Sequence, residues 1–153
     1  MKNRIARVQG FTLIEIMAVV IIIGLLTGIV GTAIFQRVDQ GKVTAASAQI
    51  SNLESVLELY RMDNGRFPSS EQGLEALVNE PAGEPTARNF PPGGYLRRGK
   101  LPVDPWGGQY HYEAPGQHNP HSFDLWSNGS DGVTGGEGTD ADLGNWDPDE
   151  QSS

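Results

Sequence analysis

The chain has 153 residues, no cysteine, 11 Lys and Arg, and 19 Asp and Glu, which give a formal net charge of −8. This length allows one domain with a small core, and the absence of cysteine excludes stabilisation by disulfides. The acidic balance argues against nucleic-acid binding, because contacts with phosphates need clustered Lys and Arg.

The first predicted element is a basic leader, residues 1–10, followed by a long apolar helix. The leader contains three basic residues, so its removal would take the net charge from −8 to −11. The segment Ile16–Phe35 has 20 residues without a formal charge, enough for a helix to cross a hydrocarbon core of about 30 Å. The leader's charges predict a cytoplasmic N-terminus and a translocated acidic domain.

Glu15 is the unusual residue of this region, because an ionised carboxylate next to a membrane segment costs about 2 to 3 kcal/mol. Cleavage after Gly10 would expose the α-amino group of Phe11, four residues before Glu15. A conventional secretory signal fits poorly, since the apolar run is too long and the cut would precede it. A plain single-pass anchor satisfies the length rule but leaves Glu15 unexplained.

The basic leader, Gly10, Phe11-Thr12-Leu13-Ile14-Glu15 and the long apolar helix together resemble the precursor of a type IV pilin or pseudopilin. The resemblance implies that a prepilin peptidase cuts after Gly10 and methylates the Phe11 amine, and that Glu15 orders subunits in a filament. Such a pairing is physically reasonable, because a carboxylate and a neighbouring subunit's α-ammonium are less costly to bury together than alone.

The helix is predicted to continue through residues 36–63 as an amphipathic helix, because apolar residues recur there at spacings of three and four. Asn64-Gly65 predicts its end, and Pro68 disfavours continuation. The predicted apolar face consists of Val43, Ala46, Ile50, Leu53, Val56, Leu57 and Tyr60.

The rest of the chain predicts short elements. Ser69 and Gln72 have the spacing of a capping box, which indicates a helix at 71–78. The proline-rich segment 79–94 predicts an irregular surface loop. Alternating residues predict two antiparallel strands, at 109–113 and 122–126.

The predicted fold class is α+β: a long N-terminal helix, with a membrane half and an amphipathic half, packed against a short helix and a small antiparallel sheet. The expected organisation is a leader at 1–10, a transmembrane and filament-core helix at 11–35, and an extracytoplasmic domain at 36–153. That domain consists of the amphipathic helix at 36–63 and a globular part at 64–153.

Three internal segments are similar in sequence to the major pseudopilins of type II secretion: residues 60–68 (YRMDNGRFP), 72–77 (QGLEAL) and 104–110 (DPWGGQY). The resemblance implies a type IV pilin-like fold and a structural subunit without enzymatic activity. It also implies a single-pass inner-membrane protein, with its N-terminus cytoplasmic and its C-terminal domain periplasmic, inserted in the membrane before assembly. Such a subunit polymerises into a periplasmic pseudopilus that drives export of folded proteins across the outer membrane. The implied partners are further copies of the chain, minor pseudopilins, an inner-membrane assembly platform and the prepilin peptidase.

Two alternatives to this function stay open. A type IV pilin of a surface fibre shares the N-terminal motif, although many such pilins close their C-terminal region with a disulfide that this chain cannot form. A membrane-anchored binding module that never polymerises would lack the cleavage after Gly10.

The C-terminal segment 127–142 alternates acidic oxygens with glycines, a composition compatible with either a solvated turn or a calcium site. The resemblance implies a structural calcium ion in this loop. The implied ligands are the carboxylates of Asp131, Asp140 and Asp142, with the carbonyl oxygens of Asn128 and Thr139.

Glu54 and Glu58 lie four residues apart on one helix face and repel mildly if left unpaired. Solvent exposure is one reading, and the resemblance implies another, a bridge to Arg97 or Arg98 of a facing subunit. The three histidines, His111, His118 and His121, form no metal-binding pattern. No candidate nucleophile lies within a known catalytic sequence motif.

Overall fold

The computed structural model describes residues 10–147, without the side chains of 28–36. The predicted leader, apart from Gly10, lies outside the described residues. The chain divides into two compact units, residues 1–38 and 39–153.

A single helix, α1, extends over Leu13–Asn64, and its 52 residues contribute to both units. In the first unit Ile16, Val20 and Leu25 of this helix are among the apolar side chains that are exposed. Within the residues that the structure describes, no helix is both long and apolar enough to cross a membrane.

In the second unit α1 buries one face in the core, as the spacing of its apolar residues predicts. Leu53, Leu57 and Tyr60 are fully buried, whereas Val43 and Val56 lie at the edge of this face and are half-buried. Ile50 also belongs to the core, and the core residues from the globular part include Leu74, Leu77, Tyr110, Phe123 and Leu125.

Helix α1 ends as predicted at Asn64-Gly65. The Gly65 N–H donates to the Arg61 carbonyl at 2.7 Å, and Gly65 has a φ of 78°, which favours glycine. Asn64 is buried, and its side-chain amide donates to the Tyr60 carbonyl and the Tyr95 hydroxyl. Its side-chain oxygen accepts the backbone N–H groups of residues 88 and 89, so that one side chain ties the helix end to the proline-rich loop.

The predicted short helix at 71–78 is confirmed as a helix, but it is shorter than predicted. The expected capping box forms, since the Ser69 N–H donates to Gln72 Oε1 at 3.1 Å and the Gln72 N–H donates to Ser69 Oγ at 3.2 Å. Only a four-residue 3₁₀-helix, η1, follows at Leu74–Leu77. The break occurs because Gly73 takes φ 56° and ψ −163°, which is outside helical space.

The sheet has three antiparallel strands in the order β1-β2-β3. Strand β1 is His111–Glu113 and β2 is Asp124–Ser127, which confirms the two predicted strands with shorter bounds. The register places Tyr112 opposite Leu125. The third strand, β3 at Leu143–Gly144, was not predicted from the sequence.

A turn forms around a buried carboxylate in the segment 104–108, Asp104-Pro105-Trp106-Gly107-Gly108. Asp104 Oδ1 accepts the N–H groups of Trp106 and Gly108, at 3.0 and 2.7 Å. Asp104 Oδ2 accepts the Ser127 hydroxyl at 2.6 Å and thereby links this turn to the end of β2. The sequence predicted a turn in this segment but not the role of the Asp104 carboxylate.

Candidate functional site

The N-terminus of α1 is closed by a reciprocal cap between Thr12 and Glu15. The Thr12 N–H and hydroxyl both donate to Glu15 Oε2 at 3.1 Å. The Glu15 N–H lies 3.3 Å from Thr12 Oγ1. This is the capping-box geometry, and its Thr-x-x-Glu spacing was a readable signal that the sequence interpretation overlooked.

The residues around the predicted cleavage site are accessible. Gly10 is exposed and lies before α1, and the Phe11 side chain is 83% exposed. No heavy atom beyond the neighbouring residues lies within 4 Å of the position that a Cβ at Gly10 would take. A peptidase could therefore reach the Gly10–Phe11 bond without displacing described structure.

The acidic pair on α1 is not symmetrical. Glu58 forms a salt bridge with Arg61 on the next turn at 2.9 Å, and both side chains are about half exposed, at 47% and 52%. Glu54 is half-buried and forms no salt bridge among the described residues. The structure therefore gives Glu58 a local partner that the sequence interpretation did not anticipate.

Arg97 lies at the tip of an exposed turn. The Gly99 N–H donates to the Leu96 carbonyl at 2.9 Å, which places Arg97 and Arg98 at the two central positions of the turn. The turn borders a groove of about 620 Å³ whose other wall is formed by α1 residues, including Gln49 and Val56. Within one subunit, the described residues show no salt bridge between Arg97 and either Glu54 or Glu58.

The predicted calcium ligands all lie on one loop, residues 128–142. The Ser130 N–H donates to the Thr139 carbonyl at 3.0 Å and closes the loop. Asn128 Oδ1 accepts the Trp126 indole N–H at 2.9 Å, which connects the start of the loop to β2.

Each of the three aspartates predicted as ligands has a donor from the loop itself. Asp131 Oδ1 accepts the Val133 N–H at 3.0 Å, and Asp140 accepts the Ser130 hydroxyl. Asp142 Oδ2 accepts the Gly135 N–H at 2.9 Å, whereas its Oδ1 is buried and has no hydrogen-bond partner in the part of the chain that the structure describes. Across residues 10–147, where described, His, Asp and Glu side chains form no group of three or more that could hold a metal ion.

The structure also brings together aromatic rings that the sequence interpretation did not connect. His111 stacks on Trp126 at 5.2 Å between ring centroids, and His118 stacks on Trp146 at 4.1 Å. The two tryptophans are 6.0 Å apart. No local pattern could have found this row, because its members come from four separate segments.

Burial alters the acidity of several tyrosines. It raises the pKa of Tyr95 and of Tyr110 to about 12 in each case. Burial also raises the pKa of Tyr112, and that of Tyr60, where the nearby Arg66 charge opposes the effect. The hydroxyls of Tyr60 and Tyr110 are buried without a hydrogen-bond partner among the described residues, so ionising them inside the fold would be costly.

Comparison with known families gives two adjoining matches. The family model of type II secretion system protein G matches residues 33–146. The model of the prokaryotic N-terminal methylation motif matches residues 5–31.

Individual relatives agree with these matches. The type II secretion system core protein G of Pseudomonas aeruginosa is 52% identical over 139 residues, which cover 91% of this chain and 95% of that protein. The protein of the same name from Escherichia coli K12 is 41% identical over 138 residues, 90% of each chain. A crystal structure of the major pseudopilin from the type 2 secretion system of enterohaemorrhagic Escherichia coli has a TM-score of 0.62 and 44% identity, covering 72% of this chain and 90% of that one.

Proposed function

Because this chain belongs to the family of type II secretion system protein G, the major pseudopilins, we propose that its copies polymerise into a periplasmic pseudopilus that drives export of folded proteins. The observation that carries this proposal is the pair of adjoining matches, over residues 5–31 and 33–146. The protein G match favours a secretion-system subunit over the type IV pilin of a surface fibre. The methylation motif favours a processed, assembling subunit over a static anchor.

Processing at Gly10 is the first step of the proposed assembly. A prepilin peptidase cuts after Gly10 and methylates the new amino group of Phe11. The accessibility of both residues supports this step. Before cleavage the subunit is a single-pass inner-membrane protein, with a cytoplasmic leader and a periplasmic C-terminal domain, and the uncharged run Ile16–Phe35 supports that topology.

Glu15 then pairs with the Phe11 α-ammonium of a neighbouring subunit in the filament core. The Thr12–Glu15 cap supports this role, since it holds the carboxylate at the start of α1 and four residues from the new amino group. In an apolar filament core the ion pair is favoured over two separately buried charges, so assembly becomes specific for one register.

A second subunit contact joins the acidic face of α1 to the basic turn. Glu54 and Glu58 of one subunit face Arg97 of another, and the absence of any intrasubunit salt bridge for Arg97 among the described residues supports an external partner. A single exposed pair contributes little. Repeated at every subunit, the contact sets the helical register. The pseudopilus also meets minor pseudopilins and an inner-membrane assembly platform.

Calcium stabilises the C-terminal loop. The donor chemistry of the loop fits this ion, because calcium prefers carboxylate and carbonyl oxygens. The buried, unpartnered Oδ1 of Asp142 is the observation that supports a cation, since a carboxylate oxygen without a donor is costly to bury. Because Asp131, Asp140 and Asp142 do not form a group of three in the described structure, the ion would have to draw Asp131 and Asp140 towards Asp142. The carbonyls of Asn128 and Thr139 complete the proposed ligand set.

Genetic replacement of the major pseudopilin in a type II secretion strain tests the function. The full chain, produced in place of the resident major pseudopilin, should restore secretion, and its overproduction should yield filaments that can be sheared from the cells. A Gly10→Leu variant should stay uncleaved and yield neither. Filaments without Gly10 cleavage, or cleavage without any filament or secretion, would contradict the proposal.

A further inference from the structure

Beside the sheet lies a cavity of about 280 Å³ whose lining combines three aromatic rings with three carboxylates. Trp126 on β2 and Trp146 after β3 both line it, together with His118. Glu113, at the end of β1, is half-buried and adds a carboxylate to the lining. None of these four residues takes part in the contacts proposed above.

The lining selects a cation. The faces of indole rings attract positive charge, and a nearby carboxylate strengthens that attraction. Asp124 also lines the cavity, but its carboxylate already accepts the N–H groups of residues 117, 118 and 119. Asp142 is assigned to the proposed calcium site. Glu113 Oε2 accepts the Gln117 side-chain amide at 3.1 Å, so the cavity offers the other oxygen of Glu113, Oε1, to an incoming group.

The size of the cavity favours a side chain over a free small molecule. Pockets that enclose a drug-sized ligand measure about 300 to 1,000 Å³, and this cavity lies just below that range. A planar guanidinium is the cation that best matches flat aromatic walls, because it stacks on rings and still donates hydrogen bonds to a carboxylate.

The chain itself supplies a complementary surface. From Leu101 to Ser153 there are ten Asp and Glu and no Lys or Arg, whereas Arg97, Arg98 and Lys100 crowd into four residues just before. All three basic residues are exposed, and Arg98 occupies the tip of the turn closed by Gly99 and Leu96. No salt bridge among the described residues involves them.

We propose that the Arg98 guanidinium of one subunit enters this aromatic cavity in a second copy of the chain, stacks on the indole rings and pairs with Glu113. The proposal rests on the filament proposed above. Because turn and cavity are different surfaces, the contact is heterologous, which is the kind of contact that an open helical filament repeats. Arg97, the other residue at the turn tip, stays available for Glu54 and Glu58.

The absence of cysteine permits a direct test by cross-linking. Lys100→Cys places a thiol beside the turn, and Gln117→Cys places one on the rim of the cavity; both native side chains are exposed. In filaments of the double variant, a short bis-maleimide should give a ladder of covalent oligomers. Each single variant should form filaments but no ladder.

Charge variants in the same cysteine background identify the residue responsible. Arg98→Glu should reduce the ladder about tenfold, within the range of a desolvated cation–π contact. Arg98→Lys, which keeps the charge and loses the planar group, should give an intermediate yield. Adding Glu113→Lys to Arg98→Glu should recover part of the ladder. Arg88→Glu is the matched control, since it makes the same charge change at another exposed arginine and should leave the ladder unchanged.

The outcomes separate this inference from the proposed function. Filaments without the ladder, or a ladder that Arg98→Glu does not reduce, would overturn the Arg98 contact and leave the pseudopilus intact. Cross-linking to a different protein would contradict the claim that a second copy of the chain occupies the cavity. If the native chain forms no filament at all, both proposals fail together. Unchanged melting temperatures for the variants would show that a loss of cross-linking is not a loss of folding.

Discussion

Glu15 and Thr12 satisfy each other at the start of α1: the Glu15 carboxylate lies 3.1 Å from both the backbone nitrogen and the hydroxyl oxygen of Thr12. In an isolated subunit this carboxylate therefore caps the N-terminus of α1 before any filament forms. Assembly, as proposed, adds a charged partner, the α-ammonium of a neighbouring Phe11. The cap and the ion pair make different demands on the residue, because only the ion pair needs a negative charge.

Glu15→Gln separates these two roles. Glutamine can still close a capping box, so the start of α1 and cleavage after Gly10 should be preserved. The filament yield should fall severely, because the neutral amide cannot neutralise the buried ammonium. Mass spectrometry of the N-terminus and the yield of sheared filaments measure the two effects. Glu15→Asp keeps the charge and is the control. Normal filaments from the glutamine variant would show that the charge is dispensable.

Removal of calcium should lower the thermal stability of the detergent-solubilised chain. A bound ion at about 100 times its dissociation constant stabilises a protein by about 2.7 kcal/mol, and excess chelator should remove that contribution. Asp142→Asn should abolish the difference in melting temperature between calcium and chelator. Glu137→Gln, which removes the same charge from an exposed side chain of the same loop, should retain it. A melting temperature indifferent to chelator would rule out a structural calcium ion.

Charge reversal tests the proposed bridge between α1 and the basic turn. Glu58→Lys should reduce filament yield, and adding Arg97→Glu should restore it, because the pair is re-formed with opposite signs. Folding should change little, since the exposed Glu58–Arg61 pair contributes about 0.3 to 0.5 kcal/mol. Arg88→Glu in place of Arg97→Glu should give no rescue. If the doubly reversed chain yields no more filaments than Glu58→Lys alone, Glu58 does not contact Arg97.

Asn64→Ala should destabilise the globular part more than any exposed change on α1. The substitution removes the acceptor of the part-buried N–H groups of residues 88 and 89 and the donor to the Tyr60 carbonyl and the Tyr95 hydroxyl, which corresponds to a loss of about 1 to 3 kcal/mol. Asn52→Ala is the matched control, because Asn52 is exposed on the same helix. Thermal denaturation followed by circular dichroism measures both. Equal melting temperatures for the two variants would mean that the Asn64 contacts are not formed in solution.

Stability should fall at alkaline pH. The pKa of Tyr95 and of Tyr110 rises from 10.0 in the unfolded chain to about 12 in the fold. Above pH 10 the unfolded chain therefore holds fewer protons than the folded one, so the free energy of unfolding decreases as pH rises. Below that pH these tyrosines contribute no slope. Denaturation at a series of pH values between 8 and 12 measures the change, and Tyr95→Phe should reduce its steepness.

Much of the architecture could be predicted because it depends on local patterns. The uncharged run after Glu15, the apolar face of residues 46–60 and the stop at Asn64-Gly65 are each readable within a few turns of helix. The alternation around Tyr112 and Leu125 likewise predicted two strands and the faces they bury. The N-terminal motif also identified the filament family, since its glycine, phenylalanine and glutamate are adjacent in sequence.

Contacts between distant segments required the tertiary structure. The Asn145 side chain caps β2 by accepting the Leu125 N–H and donating to the Phe123 carbonyl, 20 and 22 residues away, and so orders the short β3 that no alternation predicts. The cavity between Trp126 and Trp146 could likewise not be predicted from any short stretch of sequence, because its lining residues are distant along the chain. The sequence by itself determined the helix, its membrane-type composition and the processing motif, because these depend on neighbours along the chain. Only the folded structure decided which carboxylates already have donors, at Asp104 and Asp124, and which buried carboxylate oxygen has none among residues 10–147, at Asp142, because that depends on donors from remote segments.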